Sequence, residues 1–281
     1  MNELTIVWNR ARSASWESTW IEYLFRNIPH KTIENLDRSQ FIDNSIIVES
    51  ICWAPHHNQY CQDLHDRGLK FGIIHLTDES TRDNIDSYRH AKFVLRNYYR
   101  EGLPEKVLNI PLGYNDNFTD LTNNLNSRER KYLWSYVGER WDQNRNVMAG
   151  AMRTVPNGNL YVVHHTGPRM SVVDMSRMYR DSVFVPCPRG AISMDNFRVT
   201  EALEAGCIPI VERSDYWAKM HGPNPPLIQI GNWQEVPNII ADLANDPARL
   251  EMVRLTCKQW WEERKLQLTD QIEDLVASRM G

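Results

Sequence analysis

Residues 181–211 read DSVFVPCPRGAISMDNFRVTEALEAGCIPIV, and this stretch decides the fold. Val183-Phe184-Val185 is a short β-branched apolar run, the pattern of a buried strand. Pro186-Cys187-Pro188-Arg189-Gly190 continues neither a strand nor a helix. A polar loop follows, with Asp195 in the position of a helix N-cap. Phe197, Leu203 and Ala205 then recur at helical spacing, and Gly206 stops the helix. Cys207 to Val211 is a second buried strand. Strand, loop, helix and strand make a crossover unit of a parallel sheet.

Such a unit presents its loop and helix start at the carboxyl edge of the sheet, where open α/β sheets bind ligands. Free N–H groups and the helix dipole suit an anion there. Arg189 and Arg198 add full positive charges, and Glu201 shares a face with Arg198 one turn later. A cation for phosphate beside an acceptor for sugar hydroxyls fits a nucleotide-sugar site. An ordinary surface helix with a solvated ion pair fits the same residue types.

Three segments together carry a resemblance. They are Cys187-Pro188-Arg189-Gly190, then Asp195 with Phe197-Arg198 and Glu201-Ala202-Leu203, then Gly206 with Ile208-Pro209-Ile210-Val211. This arrangement resembles the donor-site signature of exostosin-like glycosyltransferases and of xylosyltransferases of that group. The resemblance implies a GT-B fold, two Rossmann-like α/β domains with parallel sheets facing across a cleft. It also implies a nucleotide-sugar donor held mainly by the second domain.

The chain has 281 residues, enough for two compact domains. Hydrophobic residues make 42% and charged residues 24%, a globular composition. A formal net charge of −4 without a long basic run argues against a nucleic-acid partner. No apolar run approaches the ~20 residues of a membrane span. The sequence enters a strand pattern at Leu4 with no signal-peptide pattern, so the expectation is a soluble, cytoplasmic protein. Five scattered cysteines fit reduced thiols in such a compartment.

Along the chain, strand patterns occur at 4–8, 31–35, 45–48, 70–76, 91–97 and 107–112, with helix patterns at 16–27 and 59–67. This alternation predicts a doubly wound parallel sheet. Residues 115–130 are polar and aperiodic and read as an inter-domain linker. Beyond them, strands are expected at 133–138, 160–163 and 227–230, and helices at 142–154 and 171–179. Further helices are expected at 234–245, 247–267 and 269–280. The expected domains are 1–122 on the acceptor side and 123–265 on the donor side, with a terminal helix 266–281 packing back on the first domain.

Gly138-Glu139-Arg140 follows the first strand of the second half. Glycine permits close backbone approach and arginine offers a planar fork to phosphate, although a surface-loop arginine is also possible there. Arg145 reads as a solvated helix residue. His165, in the pair His164-His165 after the strand 160–163, faces either a nucleotide or the loop packing. Asp78 and Glu79 end the strand 70–76 and serve either as the base that deprotonates an acceptor or as a cap. His75 lies inside that strand and reads as packed. Arg10, His57 and Tyr98 are the acceptor-side candidates.

The run Cys52, His56, His57, Cys61, His65 has zinc-type ligands at a spacing of no common zinc module. An ordinary helix with histidines reads it better. No Asp-x-Asp occurs, which agrees with a donor diphosphate held by basic groups and not by a metal.

The resulting expectation is an inverting transferase. It would move a sugar, xylose first, from a UDP-sugar to a glycan hydroxyl, with no cofactor or metal. Gly138, Arg140, Arg189 and Arg198 would hold the diphosphate, and Ser193 and Asp195 would shape the loop. Glu201 would bind hydroxyls, and Asp78 or Glu79 would take the proton. An epimerase or hydrolase of nucleotide sugars, or an inactive nucleotide- or carbohydrate-binding protein, fits a similar frame.

Overall fold

The computed structural model describes residues 3–12, 15–49, 55–118, 125–163 and 169–281. The chain divides into two compact units, Met1–Leu112 with Lys265–Gly281, and Gly113–Arg264.

The first unit is built on β1 (Leu4–Trp8), β2 (His30–Ile33), β3 (Ser45–Glu49), β4 (Phe71–His75), β5 (Val94–Arg96) and β6 (Val107–Asn109). These pair in parallel in the order β2-β1-β3-β4-β5-β6. β1, β3 and β4 are buried at every position, which is why Ile6-Val7-Trp8, Ile46-Ile47-Val48 and Ile73-Ile74 read as continuous apolar runs and not as alternating ones. Gly72 sits in β4 because a Cβ there would run into the ring of Phe93.

Helix α1 (Ser18–Leu24) buries Trp20 and Leu24, and helix α2 (Pro55–Asp66) buries His57, Tyr60, Cys61 and Leu64 at helical spacing. Tyr60, Cys61 and Leu64 pack with Ile47, Phe71, Ile73 and Val94. Gly68, at φ +74°, ends that helix in the left-handed region.

The second unit carries β7 (Tyr132–Glu139), β8 (Gly158–Val163), β9 (Ser182–Pro186), β10 (Ile208–Glu212) and β11 (Ile228–Ile230). The parallel order is β11-β10-β9-β7-β8. Its helices are α3 (Gln143–Met152), α4 (Val172–Arg180), α5 (Phe197–Glu204), α6 (Tyr216–His221), α7 (Val236–Ala244) and α8 (Pro247–Met280). The expected crossover is present as β9-α5-β10, with Ile208 beside Phe184. In α8, residues up to Arg264 belong to the second unit and those from Lys265 to the first.

Two expectations are corrected. The helices at 247–267 and 269–280 are one, because Thr269 is buried and returns its hydroxyl to the Lys265 carbonyl without interrupting the backbone ladder. The described part of 115–130 is packed and not a free linker. Phe118 is buried against Tyr179, Asn115 donates to Glu201, and Arg130 donates to the carbonyls of Ser182 and Ala205. Polar composition hid this because the segment is held by hydrogen bonds more than by apolar contact.

In each sheet the first strand of the unit lies between its second and third, so the strand order reverses beside it. Ligands of open α/β sheets bind at the carboxyl edge of such a switch point. In the second unit that place lies between the ends of β7 and β9.

Candidate functional site

The end of β7 is shaped around arginine. Arg198, from α5, donates Nε to the Val137 carbonyl at 2.8 Å, with its guanidinium 5.1 Å from the centre of the Tyr136 ring. A Cβ on Gly138 would collide with that guanidinium and with the Tyr136 hydroxyl, so the close approach requires glycine. Asp142 caps α3 by accepting from the Arg145 amide at 2.8 Å.

Arg145 is buried and not solvated, which corrects its reading as a surface residue. Its two terminal nitrogens donate to the carbonyls of Glu139 (3.1 Å) and Arg189 (3.2 Å), and its guanidinium lies 4.5 Å from the Trp141 ring centre. Burial and the nearby Arg198 charge pull its pKa below the ordinary arginine value. Arg140 is half-buried, and its buried Nε has no hydrogen-bond partner among the described residues.

The loop from β9 to α5 completes the set. Cys187 is buried, and burial pushes its thiol well above the usual range, so it packs and does not react. Arg189 is half-exposed; its amide donates to Glu212 Oε2 at 3.1 Å and its guanidinium is 3.9 Å from Asp142 Oδ2. The cap of α5 is Asn196, one residue beyond the expected Asp195; it accepts from the Arg198 amide at 3.1 Å.

Asp195 instead locks the loop, accepting from the Asn196 amide and the Tyr216 hydroxyl, both at 3.0 Å. Ser193 accepts from the Asp195 amide at 3.1 Å. Glu201 is 1% exposed, which removes the solvated-ion-pair reading. Burial raises its carboxyl pKa, while the Asn115 amide at 2.6 Å and the Arg198 charge pull the other way.

Two residues escaped the sequence reading. Arg145 lies in the first turn of α3, where the helix dipole disfavours a cation, and that misfit was the available signal. Glu212, at the end of β10, accepts from Asn144 Nδ2 (2.5 Å), Trp233 Nε1 (3.1 Å) and the Arg189 amide, tying the loop to α3. Its signal was an acid at the carboxyl end of a strand. His165 lies outside the described residues.

The acceptor-side candidates of the first unit are less uniform. Asp78 is buried, with Oδ2 2.6 Å from Arg96 Nη2 and Oδ1 accepting the amides of Arg82 (3.0 Å) and Asp83 (3.3 Å). Its carboxylate is committed to anchoring a turn and neutralising Arg96, close to the cap alternative. Glu79 is half-buried beside it. His57 faces the interior and not a ligand, with Nδ1 3.0 Å from Glu49 Oε1, because the helical stripe of α2 carries it into the core.

Tyr98 is 9% exposed with φ +59°, and its carbonyl accepts from Arg96 Nε. Arg10 is half-buried. His75 is packed as expected, 2.5 Å from the Tyr88 hydroxyl and 3.0 Å from Asp83 Oδ2, and burial holds its pKa down. His75, Asp78 and Asp83 come together, but Arg96 already supplies the cation.

In the cysteine–histidine run, His56 and His65 are exposed while His57 and Cys61 are buried, so the described members do not converge on one ion. Cys52 lies outside the described residues.

Neither family models nor curated proteins match the sequence. Solved structures do match. Anabaena HepE in complex with UDP and glucose aligns at a TM-score of 0.63 and 11% identity, over 99% of this chain and 100% of that one. An alpha-glucosyltransferase in complex with UDP-glucose and DNA containing an abasic site aligns at 0.59 and 10%, over 98% and 99%. An alpha1,3-fucosyltransferase aligns at 0.56 and 14%, over 90% and 81%. The chain therefore has the α/β fold of GT-B glycosyltransferases, with two parallel sheets.

Proposed function

We propose that this protein is a glycosyltransferase that takes its sugar from a nucleoside diphosphate, bound at the switch point of the second unit. The carrying observation is the pairing of Arg145 and Arg198 at the starts of α3 and α5, with Arg140 two residues before the cap of α3 and its Nε buried and unpartnered among the described residues. A diphosphate answers that charge. Glu201 lies one turn from Arg198, its Oε1 accepting from Asn115 Nδ2 at 2.6 Å, and is the candidate for a ribose or sugar hydroxyl. The bound UDP and UDP-glucose of the structural neighbours support the same ligand class.

UDP-xylose is the first donor to test, on the exostosin-like signature of residues 187–211. The acceptor is a glycan hydroxyl, favoured over nucleic acid by the net charge of −4. Transfer inverts the sugar: the acceptor oxygen bonds to the anomeric carbon, its proton passes to a general base, and the bond to the β-phosphate breaks as UDP leaves. Guanidinium groups meet the leaving charge, so no divalent ion is required.

Calorimetry of UDP and UDP-xylose against the wild type and Arg140→Ala, repeated in EDTA, tests the reading. A charge-assisted bond is worth about 1.5–3 kcal/mol, so the variant should bind UDP roughly 10- to 150-fold more weakly. A wild type that binds no nucleotide, or binds only with added metal, overturns it.

A further inference from the structure

Trp141 stands apart from the tryptophans of the core. Trp8, Trp20, Trp134, Trp217, Trp233 and Trp261 are all buried, whereas Trp141 is 46% exposed; Trp16 is 64% exposed but belongs to the first unit, not to the one that carries the arginine cluster. It follows Arg140 directly at the end of β7. One side of its indole is occupied by the Arg145 guanidinium, 4.5 Å from the ring centre. That guanidinium is itself pinned by the carbonyls of Glu139 and Arg189. An indole fixed by a cation and still open to solvent keeps a flat apolar surface available at the edge of the arginine cluster.

We infer that Trp141 is the stacking platform for the base of the nucleotide, an inference that rests on the nucleotide-site reading above. Two parts of a nucleotide sugar can lie flat on an indole. A sugar ring packs its C–H bonds against an electron-rich face, and the Arg145 charge draws that density away. A nucleobase stacks chiefly through dispersion, tolerates any base identity and is compatible with a cation behind the ring. The neighbouring Arg140 supplies the phosphate contact. The platform therefore strengthens binding without choosing between bases, and base identity must be read by other groups.

The test is calorimetry of UDP, ADP, UDP-xylose and inorganic pyrophosphate against the wild type, Trp141→Ala and Trp141→Phe. Base stacking is lost on alanine substitution by ~5- to 150-fold in affinity. UDP and ADP should both weaken within that range in Trp141→Ala, pyrophosphate should bind unchanged, and Trp141→Phe should recover most of the loss. Because the side chain is about half exposed, Trp141→Ala should stay folded, with a melting temperature only a few degrees below the wild type.

UDP bound equally well by Trp141→Ala overturns the platform. Weakening of UDP-xylose alone moves Trp141 to the sugar and also overturns it. Parallel loss of pyrophosphate means that Trp141 only steadies Arg145. A wild type that binds neither UDP nor pyrophosphate removes the nucleotide site itself, and the platform falls with it.

Discussion

Arg145 and Arg198 occupy first turns of helices, where the partial positive charge of the helix start repels them. Each is retained by backbone carbonyls, Arg145 by Glu139 and Arg189, Arg198 by Val137. Placement against the dipole was visible in the sequence once Asp142 marked the cap; the carbonyls that bury Arg145 were not, since they come from distant segments. The same limit governs Asp78 and Glu79, adjacent in sequence and opposite in circumstance. Asp78→Asn leaves Arg96 as an unpaired buried charge and should cost about 3–5 kcal/mol in urea unfolding. Glu79→Gln should keep its stability and lose ~10²- to 10⁴-fold in turnover if Glu79 is the base. A stable Asp78→Asn, or an active Glu79→Gln, would reverse these assignments.

His221 is buried against Trp217 with neither ring nitrogen hydrogen-bonded among the described residues, and burial with the Arg264 charge pulls its pKa down to about 3. A depressed pKa contributes stability that is present above the unfolded value of 6.5 and is lost as pH falls towards 3. The expected slope is up to about 1.4 kcal/mol per pH unit in that window. His221→Phe should flatten this part of the acid-unfolding profile; an unaltered profile would mean that the imidazole does not titrate there.

At the scale of elements, strands were the most legible, because buried parallel strands write themselves as β-branched apolar runs, as in β1, β3 and β4. Helices bounded by a cap were nearly as clear, as with Asp142 and Ser171. The reading failed where buried positions carry polar side chains. In α8 the buried stripe runs Leu250, Arg254, Cys257, Trp261, Lys265, Leu268, Ile272, Val276, Met280, in unbroken steps of three or four. Arg254 and Lys265 interrupt the apolar pattern without interrupting the helix. Arg130 hid the packing of the supposed linker in the same way. Leu268, read as a break between two helices, is fully buried inside one. Leu268→Ala should therefore cost about 2–5 kcal/mol in chemical unfolding. A cost below ~0.5 kcal/mol, as for a surface position, would contradict the continuous buried stripe.

For the whole molecule, alternation of strand and helix predicted the doubly wound sheet of the first half, and the resemblance carried by residues 187–211 implied the second. The partition of residues between units is a matter of long-range contact and is less visible. The second unit is one continuous segment, 113–264, while the first joins 1–112 to 265–281. The terminal segment contributes Leu268, Ile272, Val276 and Met280 as buried side chains, Lys265 lies over the Tyr23 ring, and Lys70 donates to the Gly281 carbonyl at 3.1 Å. A chain ending at Arg264 removes those groups from the first unit and none from the arginine cluster, which lies wholly within 138–201. Its unfolding should lose the cooperative transition of the first unit, followed by near-ultraviolet circular dichroism, while UDP affinity by calorimetry stays at the wild-type value. Loss of UDP binding together with the first transition would show that the residues of the second unit do not suffice to hold the nucleotide, and the proposed site would have to be redrawn to include groups from the first.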